Sequence, residues 1–242
     1  MRVAALADVH GNAVALEAVL AELERDPPDV IVSCGDLTWG PVPVETVALL
    51  EPWRERLRCV RGNSERELVE RTLVDSEIAR WEHEQHERGE LKEYLGRTEA
   101  TVALELDGLG RTVFCHGSPR SDEECVTVET PPARVAEFMV GIEAACVVTA
   151  HTHMQYDRRV GETRLLNPGS VGLPYEPEPG HAYWALLGPG VELRRTPYDL
   201  DAAVERLRDG GMPGFDRIET LMRTPPSHAE VIEHAERVVF AG

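Results

Sequence analysis

Five apolar runs in this chain break off at a residue able to bind a metal, and that recurrence constrains the fold more than any other feature. "RVAALA" runs into Asp8, with His10 two positions on; "DVIVSCG" ends at Asp36, "RLRCVRG" at Asn63, "RTVFC" at His116, and "ACVVTA" at His151, with His153 two further on. Singly, each has a plain explanation. A lone Asp after a strand caps a helix more often than it ligates, and Gly62-Asn63 is first of all a turn. Five such endings are hard to explain as caps. Each run has strand length, and each would project from the sheet edge where loops converge and α/β sheets build their sites.

The spacing between the first runs is helical. Val14, Leu16, Val19, Leu20 and Leu23 recur with a period near 3.6, which predicts a helix over 12–24 with Asn12 as its N-cap, and a second helix is expected at 43–50. Strand, helix, strand, helix, strand over residues 2–63 predicts βαβ units and a largely parallel sheet. Residues 64–96 are the most charged stretch and read as a helical insert, with Leu68, Leu73, Ile78 and Trp81 as its apolar stripe. Short strands are then expected at 101–106, 111–117, 145–151, 154–160, 163–169, 182–187 and 191–197, and helical spacing returns from about 199 to 242. The expectation is one α/β domain over 1–242, with two mixed sheets flanked by helices.

Charge and cysteine usage narrow the function. A formal charge of −18 argues against a generic nucleic-acid binder, because phosphate contacts need clustered Lys and Arg. No apolar run approaches the roughly 20 residues of a membrane span, and the first residues lack a signal-peptide pattern. The five cysteines show no paired spacing, which fits a reducing, cytoplasmic setting.

These residue types suit two-metal hydrolysis. Two divalent ions need a carboxylate between them to limit their repulsion, and carboxylate with imidazole suits Mn²⁺, Fe²⁺ or Zn²⁺. In extended backbone, i and i+2 point to one side, so Asp8 with His10, and His151 with His153, can reach a common centre. Asn63 can complete a shell without adding charge, or present its amide N–H to a phosphate.

The order D-x-H, G-D, G-N, H, H-x-H resembles the calcineurin-like metallophosphoesterase superfamily, and closely its bacterial single-domain, phosphodiesterase-like branch. The motifs are "LADVHGN" (6–12), "CGDLTWGPVP" (34–43), "FCHGSP" (114–119), "AHTH" (150–153) and "NPGSVG" (167–172), and the likeness spans roughly 1–200. It implies a four-layer α/β/β/α sandwich. It implies Asp8, His10 and His153 on one metal, Asn63, His116 and His151 on the other, and Asp36 bridging. The ions would be Mn²⁺ first, with Fe²⁺, Zn²⁺ or Ni²⁺ as substitutes, and a hydroxide between them would attack a small phosphorylated substrate such as a nucleotide. Asp36, Asn63 and His151 would be catalytic, and Asn63, Ser64 and Arg120 would meet the substrate. "NPGSVG" would support the centre. The alternative is a non-catalytic scaffold of the same fold that binds a protein partner. One departure matters: many members carry a His where Ser64 stands, credited with protonating the leaving group, and serine is a poor acid at neutral pH.

Other candidates have two readings each. His83 and His86 share a helical face and either overhang the metals or belong to a solvated helix. Arg61 meets a phosphate or simply ends a strand, and Trp39 lines a pocket or packs. Alternation along the strand turns Cys115 away from the metals.

Overall fold

The apolar runs become strands in the computed structural model, which describes residues 1–74, 76–87 and 89–237. In chain order the strands are β1 (Val3–Leu6), β2 (Val30–Ser33), β3 (Leu57–Val60), β4 (Thr98–Glu99), β5 (Val102–Leu106) and β6 (Gly110–Phe114). They continue as β7 (Cys146–Val148), β8 (Gln155–Val160), β9 (Thr163–Pro168), β10 (His181–Leu187) and β11 (Val191–Pro197). The helices are α1 (Ala13–Arg25), α2 (Pro43–Leu50), α3 (Asn63–Glu70), α4 (Glu77–His86), α5 (Gly89–Leu95), α6 (Pro132–Phe138), α7 (Leu200–Asp209), α8 (Phe215–Arg223) and α9 (His228–Arg237). Among the described residues no helix is long and apolar enough to cross a membrane.

A six-stranded sheet runs β11-β10-β1-β2-β3-β4, and a five-stranded sheet runs β5-β6-β7-β9-β8. Neighbours from β1 to β4 are parallel, as are β6, β7 and β9, while β10 and β11 at one end of the first sheet, and β5 and β8 at the edges of the second, pair antiparallel. Both sheets are therefore mixed.

Alternation assigns each face. Ala4 and Leu6 of β1 pack with Ile31, Cys59 and Trp184 against α1, whereas Val3 and Ala5 face Phe114, Val148 and Leu166 across the gap between the sheets. On the far side of the second sheet, Cys115, Val147 and Leu165 pack against Val135 and Phe138 of α6. Helix, sheet, sheet, helix follows from period-2 burial on both sheets. Asn12 caps α1 as expected, its side chain accepting from the Ala15 N–H at 3.1 Å.

Three details depart from the sequence reading. The 64–96 stretch is three helices, because the chain turns at Arg71 (φ 56°) after α3. Its apolar stripe divides accordingly: Leu68 is buried on α3, while Ile78 and Trp81 on α4 pack against the cluster that joins α7 and α8. Strand β4 and helix α6 have two and seven residues, too few to leave a periodic signal. Residues 238–242 of the expected C-terminal helical segment lie outside the described residues.

Candidate metal centre

The segments after β1, β2, β3, β6 and β7 meet at one edge of the two sheets. Asp8, His10, Asp36, His151 and His153 have φ between 49° and 66°, in the left-handed region. Among the described residues Arg71 is the only other non-glycine residue there. A non-glycine residue rarely adopts this conformation, and it persists only when the surroundings enforce it. The paired ligands converge because the chain turns sharply at each of them, not because the backbone is extended. Backbone bonds fix the turns: the Asp8 N–H donates to the Gly35 carbonyl at 3.1 Å and the His10 N–H to the Asp36 carbonyl at 3.0 Å.

Two groups of side chains result. Asp8, His10 and His153 form one; Asp36, His116 and His151 form the other. Each imidazole of the first group is pinned from behind: His10 Nδ1 lies 3.2 Å from the Trp39 carbonyl and His153 Nδ1 2.7 Å from the Leu173 carbonyl. A carbonyl can only accept, so each Nδ1 carries a proton, and in the neutral ring each Nε2 then holds the lone pair. Those two Nε2 atoms face each other at 3.1 Å. His116 is pinned likewise on the Cys34 carbonyl at 2.9 Å, and its Nε2 lies 3.1 Å from both Asn63 Oδ1 and His151 Nδ1. With the rings neutral these are acceptors meeting acceptors, an arrangement that shared cations satisfy. Asp8 Oδ1, fully buried, has no hydrogen-bond partner among the described residues, with His153 Nε2 3.4 Å away, and a buried carboxylate oxygen left so is costly. Asp36 spans the two groups, with Oδ1 3.5 Å from His116 Nε2 and Oδ2 3.9 Å from His10 Nε2. The donor set fits two divalent ions.

The field of the centre agrees. Burial pulls His116 down, but Asp36 and Asp8 outweigh it and raise the ring to about 10. Burial pushes Asp8 up, and His153, His116 and His10 nevertheless hold it below the usual carboxylate range. Burial, with a neighbouring imidazole, takes His10 and His151 down to about 4 each. Two carboxylates amid four imidazoles attract positive charge, while burial and repulsion between the imidazoles keep His10 and His151 neutral.

Supporting residues aim the donors. Glu65 is fully buried and accepts from the backbone N–H groups of Asp36, Leu37 and Gly62 at 2.9, 2.8 and 2.8 Å, tying the second and third motifs together. The sequence signal for it was a Glu at the third position of a helix, where it can reach back to the cap. In the "NPGSVG" segment, Asn167 donates to the Ala150 carbonyl at 3.0 Å and Ser170 to the Asp8 carbonyl at 2.7 Å. Gly172 must be glycine, since a Cβ there would lie 1.8 Å from the Val9 carbonyl oxygen.

Ser64 is buried, and its hydroxyl donates to Asp36 Oδ1 at 2.6 Å, reinforced by its own N–H at 3.1 Å. Its reach is toward the carboxylate. The Arg120 guanidinium donates to Glu124 Oε1 at 2.6 and 2.9 Å, and with Arg61 and Arg66 it lines a cavity of about 370 Å³ beside His116. A second cavity of about 350 Å³ opens directly on the centre at His10, Asp36, Asn63, His151 and His153. Asn63 and His151 are half-buried, unlike the other five donors.

Trp39 both lines this cavity and packs, its ring edge-on to His10 at 5.4 Å. His83 and His86 border neither cavity; they share a separate surface groove with Leu68 and Lys92. His86 is buried, with Nδ1 donating to the Glu82 carbonyl at 2.8 Å and Nε2 3.3 Å from the Thr38 hydroxyl, so α4 is not the solvated helix its composition suggests. Sequence reasoning passed over Tyr175, which stacks on His153 at 4.6 Å, and Arg217 of α8, which lines the second cavity. No local pattern marks either one.

The family model described as a calcineurin-like phosphoesterase superfamily domain matches residues 1–187. Among solved structures, a metallophosphoesterase from Sphaerobacter thermophilus is 24% identical at a TM-score of 0.74, over 93% of this chain and 100% of that one. A hypothetical protein from Pyrococcus horikoshii OT3 is 20% identical at a TM-score of 0.76, over 91% of this chain and 97% of that one. An archaeal phosphodiesterase is 15% identical at a TM-score of 0.52, over 81% and 99%. Among curated proteins, none matches.

Proposed function

The chain belongs to the calcineurin-like phosphoesterase superfamily, and as a member it is a metal-dependent phosphoester hydrolase; from that premise we propose a dinuclear enzyme acting as a phosphodiesterase or phosphatase on a small phosphoester, nucleotides included. Asp8, His10 and His153 would hold one divalent ion and Asn63, His116 and His151 the other, with Asp36 shared. Mn²⁺ is the first choice for this oxygen and imidazole set, with Fe²⁺, Zn²⁺ and Ni²⁺ as substitutes. When bound, the ions supply a water of lowered pKa as nucleophile and offset the charge that builds on the phosphate.

The chain's own residues do the positioning. Asp36 turns one oxygen to each group, and Ser64 and Glu65 hold it and its loop in place. Asn63 and His151, the two half-buried donors, border the space for a phosphate, and the Asn63 amide N–H₂ can donate to a non-bridging oxygen. With its hydroxyl on Asp36, Ser64 acts through that carboxylate and not as a leaving-group acid. Five free cysteines support a cytoplasmic setting.

The observation that carries this reading is the convergence of two histidine Nε2 atoms, 3.1 Å apart, on a buried carboxylate oxygen that has no hydrogen-bond partner among the described residues. A scaffold that binds a protein partner has no use for that arrangement. Protein loaded with Mn²⁺ is expected to hydrolyse p-nitrophenyl phosphate or bis(p-nitrophenyl) phosphate. Absence of turnover on a broad phosphoester panel would favour the scaffold.

A further inference from the structure

The cavity over the centre has a second wall that the ligand motifs do not supply. Ile78 of α4 and Met212, Ile218 and Leu221 in and before α8 face the donors across it. The wall from Met212 onward lies beyond residues 1–187, so family membership says nothing about its role. In this apolar wall sits one cation, Arg217. The other α8 arginine, Arg223, bonds Glu219 at 2.9 Å and pairs with Asp201 at 2.8 Å, and Arg208 of α7 bonds Asp216 at 2.9 Å. Arg217 is exposed and, among the described residues, has no carboxylate partner. Arg217 therefore keeps its guanidinium available at the mouth of the cavity. Tyr175, stacked on His153, lies within reach of its charge.

We propose that Arg217 is a substrate-binding residue that receives a second anionic group, a carboxylate or phosphate, of a phosphoester whose organic middle rests on the apolar wall. The cavity thus selects molecules with two negative ends separated by a flat or aliphatic spacer: the phosphoester at the metal donors, the other anion at Arg217. A planar guanidinium suits a carboxylate or phosphate because it donates two parallel hydrogen bonds. The inference rests on the phosphoesterase reading of the centre.

The test uses non-hydrolysable probes, so that binding is read apart from turnover. On Mn²⁺-loaded protein, calorimetry is expected to give 4-carboxyphenylphosphonate about tenfold tighter binding than phenylphosphonate, a preference that weakens at high salt. Arg217→Gln erases the preference while leaving phenylphosphonate affinity within about twofold, and Arg217→Lys retains part of it. Arg223→Gln, a control on the same helix, keeps the preference. Equal affinity for the two probes in the wild type overturns the inference. So does an equal loss for both probes in Arg217→Gln, which would put Arg217 on the phosphoryl group, or loss of the preference in Arg223→Gln. A wild type that shows the preference but hydrolyses no phosphoester supports the anion site and removes the catalytic reading.

Discussion

The two walls of the central cavity are built on different terms. On the donor side, every imidazole that faces its partners through Nε2 is braced by a backbone carbonyl, and five of the seven donor residues occupy left-handed turns. On the helical side, Ile78, Met212, Ile218 and Leu221 rest on one another and on α7, with no hydrogen bond to the donors. One wall is set by backbone geometry and tolerates little change. The other is set by side-chain packing, where volume-conserving exchanges cost little. Under the proposed function, chemistry would fall to the first wall and selectivity to the second.

Substitutions can break that division. The largest effect is expected from Asp36→Asn, which keeps the shape but removes the shared charge. Turnover of an aryl phosphate with Mn²⁺ should fall by about 1,000-fold or more, measured as kcat. A residual rate within tenfold of the wild type would mean that Asp36 is not the shared carboxylate. Next comes the metal itself. Mn²⁺ at 100 times its dissociation constant should stabilise the fold by about 2.7 kcal/mol, read as a rise in Tm, and Asp8→Asn should shrink that rise. An unchanged Tm would argue against a preformed site.

The leaving group gives the third. With Ser64 committed to Asp36, kcat/KM should depend steeply on leaving-group pKa and favour aryl esters. A flat dependence would point to a proton donor elsewhere. On the helical wall, Ile78→Ala should shift KM by only a few-fold and leave kcat nearly unchanged; an equal fall in kcat would erase the distinction between the walls.

The smallest effect concerns Glu82 of α4, which ties the helix to the Trp39 loop by accepting from the Gly40 N–H at 3.2 Å. Burial raises its carboxyl from 4.5 to about 8, against the opposing pull of that bond. The folded state therefore holds a proton that the unfolded state has lost between those two values. Stability from this group is complete below pH 4.5 and declines as pH rises toward 8. Glu82→Gln should flatten the fall in Tm between pH 5.5 and 8, and an identical slope in both proteins would show that Glu82 is charged when folded.

The same contrast explains what could be read from sequence. Strands buried on both faces leave continuous apolar runs, and turns that must present Asp or His interrupt them at fixed places, so Asp8, Asp36, His116 and the His151-Thr152-His153 segment stand out. Helix α4 misled because Glu82 and His86 are buried while the surrounding Glu and Arg residues are those of a solvated face. Helix α6, with Pro at its first turn and only Val135 and Phe138 buried, is too short for a period. Ser64 read as substrate-facing because many members of the superfamily carry a His at that position; the first turn of α3 carries its hydroxyl to Asp36. Tyr175 and Arg217 meet the centre only through tertiary packing, which no spacing rule encodes.

The left-handed donors also bear on how such a centre should be dissected. Alanine at Asp8, His10, Asp36, His151 or His153 removes a donor and at the same time places an ordinary Cβ residue where the backbone is strained by roughly 1–2 kcal/mol. A conventional alanine scan would confound lost coordination with a loosened loop. Asparagine tolerates that backbone region better, so a scan with it would change the donor atom and its charge while keeping the turn.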